Sequence, residues 1–96
     1  MKEPSVNLAM LDLITILTNH GFEIEHDSPQ SCAYSYYLPS GRFILVSNAS
    51  GGWIPTTEEL GVYACLYDSE AVPLGNSVGI SETVISVLSW LHTTAT

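Results

Sequence analysis

Apolar residues recur at Val6, Met10, Leu13 and Leu17, and Ala9, Ile14 and Ile16 widen the same stripe. That is the period of one helix face. Ser5 stands ahead of the stripe as an N-cap, and Gly21 follows His20 as a C-terminal stop. The pattern predicts a helix over residues 6–20, with His20 at its C-terminus, where an imidazole interacts favourably with the helix dipole. From Phe22 to His26 the period changes to two, as in a half-buried strand, and Asp27-Ser28-Pro29 reads as a turn. The tyrosine-rich run 32–38 and the run 42–47 are predicted as antiparallel neighbours. Between them Pro39-Ser40-Gly41 combines a residue that presets φ with one that accepts a positive φ. Residues 43–46 are apolar on both faces, which places them in a central strand.

Asn48-Ala49-Ser50-Gly51-Gly52 leads into Trp53-Ile54-Pro55. Thr56 and Glu59 then have capping-box spacing, but Gly61 leaves room for one helical turn at most. Residues 62–67 look like a strand, Asp68-Ser69-Glu70 a turn, and residues 71–74 a short return strand that Pro73 confines to an edge. Ser81 caps the last element, with Ile80 and Ile85 spaced as a hydrophobic staple. Val84, Val87, Leu88 and Leu91 line its apolar face, and Trp90 beside them is expected in the core with part of its ring exposed. The expected architecture is a single α+β domain over residues 1–96. It is an antiparallel meander of about five strands with the N-terminal and C-terminal helices packed on one face. The other sheet face is then open, which antiparallel sheets tolerate. Tyr34, Tyr36 or Tyr37, and Tyr63 with Tyr67, must divide between the two faces, and parity alone does not divide them.

Charge changes this picture. Ten Asp and Glu stand against two basic residues, for a net charge of −8, on a chain that is 46% hydrophobic. The hydrophobic content argues against intrinsic disorder. Charged residues are only 12% of the chain, about half the usual ~25%. Such a surface favours cover by a partner or a second copy. Lys2 and Arg42 are too few and too far apart to neutralise phosphates, which argues against direct nucleic-acid binding and against anionic membranes. The apolar run 8–17 is interrupted by Asp12 and too short to span a bilayer. No small-residue cleavage site follows it, so it is a poor signal peptide. The chain is expected to be cytoplasmic.

No catalytic residue, metal ligand or cofactor site emerges. Cys32 and Cys65 sit in apolar strand patterns and are expected as buried free thiols. With His20, His26 and His92 they supply the residue types of a Cys–His nucleophile, but no motif joins any pair. His20 and His26 lack a metal-site spacing. The glycine loops at 50–52 and 75–79 have no lysine near them for a phosphate. Asn48-Ala49-Ser50 matches a glycosylation sequon, which has no role in a cytosolic protein.

The carboxylates do have geometry. Glu23 and Glu25 lie two apart on a predicted strand, on one face at about 6.7 Å spacing, and Asp27 continues the line. Glu58 with Glu59, and Asp68 with Glu70, add two acidic points in loops. They can be a solvated face that keeps an apolar protein dispersed. They can also dock on a basic groove, with Trp53, Tyr36 and Tyr37 as anchors. In size, acidity and lack of an enzyme motif the chain is similar to small phage-encoded anti-defence proteins such as anti-CRISPRs and DNA mimics. That resemblance implies a viral, non-enzymatic inhibitor of a larger protein or ribonucleoprotein complex with a basic surface. The element order also resembles the type III secretion chaperones, which implies an acidic homodimer. The middle helix through which that family dimerises shrinks here to residues 56–60.

Overall fold

The computed structural model describes residues 7–57, 59 and 61–94. Two helices bracket five strands: α1 (Leu8–Asn19), β1 (Glu23–Ser28), β2 (Ser31–Tyr37), β3 (Phe43–Asn48), β4 (Val62–Tyr67), β5 (Pro73–Val78) and α2 (Ile80–Thr94). The strands form one antiparallel sheet in sequence order, with the doubly apolar β3 at its centre as expected.

The register defines two faces. Tyr34, Val46, Ala64 and Ser77 form one row, and Tyr36, Ile44, Leu66 and Gly75 form the next. These rows meet Met10, Leu13 and Leu17 of α1 and Val87 of α2 in the core. Both helices therefore cover one face, and the other is open. The N-terminus of α1 is tied to the β3–β4 loop by the Asn7 N–H, which donates to the Thr57 carbonyl at 2.7 Å. α2 starts at that same end, directly after β5. The helices thus run side by side in the same direction, and their C-termini meet at the end of the sheet that carries the β2–β3 and β4–β5 turns.

Several local expectations are corrected. The cap of α1 is Asn7, whose Oδ1 accepts from the backbone N–H groups of Ala9 and Met10 at 3.1 and 3.2 Å. Ser5 and Val6 lie outside the described residues. At the other end the Phe22 N–H bonds to the Leu17 carbonyl and the Gly21 N–H to that of Thr18. This Schellman closure needs the positive φ of Gly21 (91°). It also turns Phe22 onto the core, so the aromatic that seemed to open a half-buried strand belongs to the helix stop. β1 itself is an exposed edge, with Ile24 at 50% exposure. It runs on through Asp27 to Ser28, with a register shift after His26, and the turn is Pro29-Gln30.

β5 is longer than its apolar residues suggested, because Gly75-Asn76-Ser77-Val78 continue it. An edge strand needs few apolar side chains, and the Trp90 ring packs over Gly75. α2 starts at Ile80, and the Thr83 N–H donates to the Gly79 carbonyl. Gly79 therefore takes the cap position expected of Ser81, and Ile80 packs on the core while Ile85 stays exposed. Between β3 and β4 the Thr56–Glu59 spacing produces one turn, with the Thr56 hydroxyl donating to Glu59 Oε1 at 3.3 Å.

Candidate functional site

Tyr37, Phe43 and Tyr67 stand opposite one another on β2, β3 and β4, on the open face. Their rings form a ladder, with centroids 5.3 Å apart between Tyr37 and Phe43 and 5.0 Å between Phe43 and Tyr67. The next row on this face holds Ser35, Leu45 and Cys65, and of the three rings Phe43 and Tyr67 are half-buried. Tyr37 is 57% exposed.

A carboxylate lies at the β1 end of this row, and the turn that follows Tyr67 carries two more. On the β1 side the Tyr37 hydroxyl donates to Glu25, 2.9 and 3.0 Å from its two carboxylate oxygens. That bond, then partial burial, raises the Tyr37 pKa above 10. Glu23 shares the face, and Glu23, Glu25, Ser35 and Tyr37 line a hollow of about 340 Å³. On the β4 side the turn after Tyr67 carries Asp68 and Glu70. Asp68 Oδ1 accepts from the N–H groups of Glu70 and Val72, both at 2.9 Å, and holds the turn in shape. Burial first, then the neighbouring Cys65 thiol, pushes the Tyr67 phenol up to about 12. The β2–β3 turn lies against this one: a Cβ on Gly41 would stand 3.1 Å from the Ser69 Cβ.

The remaining anticipated residues fall elsewhere. Tyr36 faces the helices and packs on Phe22 at 5.3 Å. Glu59 sits at the opposite end of the molecule, where its carbonyl accepts from the Asn7 side chain. Asp27 lines a second hollow, about 250 Å³, with Glu25, Ala33 and Gly51. Trp53 is 38% exposed and packs edge-on against His26 at 5.8 Å. Glu58 lies outside the described residues. Phe43 was missed as a site residue because its run is apolar on both faces. Only the register shows that its ring joins two tyrosines.

The chain was compared with protein-family models, curated proteins and solved structures. It matches none of them.

The two cysteines are buried free thiols. Cys32 shares the helix-facing side with Tyr34, whereas Cys65 pairs with Leu45 on the open face, so the sheet separates them. The register does set His26 opposite Cys32, a pairing invisible in the sequence, but the thiol is 3% exposed. His20 and His92 also come together, lining a hollow of about 560 Å³ with Tyr36, Leu38, Pro39, Leu88 and Leu91 at the helix C-termini. Among the described residues no group of three or more His, Cys, Asp or Glu converges as metal ligands, and no helix is long and apolar enough to cross a membrane.

What the aromatic row offers chemically is specific. A guanidinium or ammonium group can lie on the ring faces, while its N–H donors reach the Glu25 carboxylate at the β1 end of the row.

Proposed function

We propose that this chain is a non-enzymatic interaction protein whose open sheet face docks on a basic, nucleic-acid-binding surface of a larger protein or ribonucleoprotein complex. It inhibits that complex by occupying the surface, in the cytoplasm, in the manner of viral anti-CRISPR proteins. The observation that carries this reading is the Tyr37–Phe43–Tyr67 row with Glu23 and Glu25 beside its β1 end, and Asp68 and Glu70 in the turn that follows Tyr67. Arginine and lysine side chains on the partner stack on the rings and pair with the rim carboxylates. The net charge of −8 steers the encounter. The chaperone-like alternative draws less support, since the segment between β3 and β4 holds one turn and no helix among the described residues.

The test is capture of the partner from host lysate on the immobilised chain, elution by a salt gradient, and a competition assay between the purified partner and its nucleic acid. Wild type should displace the nucleic acid. The double change Glu23→Lys with Glu25→Lys should weaken binding by at least about tenfold, roughly 1.4 kcal/mol, without altering the thermal midpoint. An affinity indifferent to both salt and these changes rejects the reading.

A further inference from the structure

The two edges of the sheet differ in a way that the proposed docking face does not use. β1 carries Glu23, Glu25 and Asp27, whereas β5, Pro73-Leu74-Gly75-Asn76-Ser77-Val78, has no charged residue. Charge on an edge strand is one common protection against pairing with another chain, and β5 lacks it, its Pro73 and register shift guarding only its first residues. Leu74 is 48% and Val78 69% exposed, and both lie on this uncharged edge.

The backbone of β5 is also in a defined phase. The Gly79 N–H donates to the Val62 carbonyl at 2.9 Å, and the register pairs Ala64 with Ser77 and Leu66 with Gly75. In an antiparallel ladder bonded and non-bonded pairs alternate, so Gly75, Ser77 and Gly79 bond inward to β4. Asn76 and Val78 then direct their N–H and C=O groups out of the sheet. Leu74 is the extra residue at the register shift beside Tyr67, and its backbone groups are likewise unpaired on the β4 side.

We propose that the β5 edge pairs with the β5 edge of a second copy of this chain, antiparallel about a twofold axis at Asn76. In that register Asn76 faces Asn76 of the other copy, and Leu74 faces Val78 on either side. The outward backbone groups satisfy one another, and the exposed Leu74 and Val78 side chains become cross-strand neighbours. Electrostatics selects this edge. Pairing β1 with itself about Glu25 would set Glu25 against Glu25 and Glu23 against Asp27, and about Ile24 it would set Glu23 against Glu25. Each puts like charges opposite one another, which opposes pairing. Pairing β1 with β5 is heterologous and leaves free edges that continue into a filament, whereas β5 with β5 closes.

The helices fit this arrangement. α2 packs on both β4 and β5, so in the dimer the two α2 helices lie on the same side of the continuous sheet, antiparallel to each other and on either side of the axis. Because the axis is perpendicular to the sheet, both open faces point the same way. The dimer presents two acid-flanked aromatic rows on one side, and a partner with two basic sites gains effective concentration.

Sedimentation equilibrium from micromolar to submillimolar concentration tests the pairing. Wild type should reach twice the 10.4 kDa chain mass. Val78→Lys should be monomeric over that range with an unchanged circular dichroism spectrum, although it lowers the net charge and so weakens general repulsion. Asn76→Cys should form an intermolecular disulfide under mild oxidation, because Cα atoms of a bonded pair lie about 5.5 Å apart, within disulfide reach. The buried Cys32 and Cys65 leave wild type uncrosslinked, and Glu25→Cys on the other edge should dimerise like wild type without forming an intermolecular disulfide. A wild type that remains monomeric overturns the proposal. So does a dimer unmoved by a folded Val78→Lys, or a Cys at position 76 that crosslinks no better than one at position 25.

Discussion

Thr83 is fully buried in α2, yet its Oγ1 finds no hydrogen-bond partner among the described residues. Its N–H is engaged with Gly79, and the hydroxyl is left against the core. A buried hydroxyl without a partner costs about 1–3 kcal/mol of desolvation. Valine has the same shape and nothing to desolvate, so Thr83→Val should stabilise the fold by about 1 kcal/mol. The urea midpoint should rise with the slope unchanged, and an unchanged or lower midpoint would show the hydroxyl to be satisfied in solution. Thr83 was not legible as a core residue, because a threonine on an amphipathic helix reads as polar. The stripe Val84, Val87, Leu88 and Leu91 was legible, yet Leu88 is 39% exposed while Thr83 is sealed. Side-chain chemistry places the stripe only to within one position. The same holds for Tyr36 and Tyr37, adjacent in sequence and separated by the whole thickness of the sheet.

At the level of elements, α1 depends on one residue at its start. Asn7 caps the first turn through Oδ1, and its Nδ2 donates to the Glu59 carbonyl at 3.3 Å. It therefore ties the helix to the β3–β4 loop as well as capping it. Asn7→Ala should cost about 1–2 kcal/mol, and Asn7→Asp, which keeps the cap acceptor and loses the donor to the loop, should cost less. Denaturant unfolding of the two variants checks the order, and equal losses would assign the whole effect to the loop. The helix itself was visible in its period. Its cap was not, because both Ser5 and Asn7 are good caps and the choice depends on which of them the loop meets. The two edge strands were the least legible elements. β1 looked half-buried because it alternates, and β5 looked short because its later residues are Gly, Asn and Ser. At an edge neither alternation nor apolarity is required, so the pattern loses its meaning there.

Three phenols shape the response of the whole molecule to alkali. Tyr34, buried in the core, Tyr37, bonded to Glu25, and Tyr67, the last raised to about 12, all hold their protons more tightly than the ordinary value of 10. In the unfolded chain these groups ionise near 10, so between that pH and about 12 the native state binds more protons. Stability must therefore fall as pH rises through this window, and below it these groups contribute no slope. Unfolding midpoints measured against pH should decline across the window, and Tyr67→Phe should flatten the decline. A variant as steep as wild type would place the effect elsewhere.

The order of helix, strands and helix, the central position of β3 and the presence of one open sheet face follow from the chain alone. Each depends on local periodicity, on turn residues and on the need to bury apolar stripes against one another. The list of acidic residues was equally plain, and so was the shortage of cations to pair with them. What only the tertiary structure decided is which of those residues share a surface. Cross-strand register joins Tyr37 to Phe43, Tyr67 and Glu25, carries Glu59 to the far end, and turns Tyr36 and Cys32 to the helices. It also leaves one edge acidic and the other bare. Register is set by how turns of a given length meet across the sheet, and a slip of one residue would exchange the two faces of a strand.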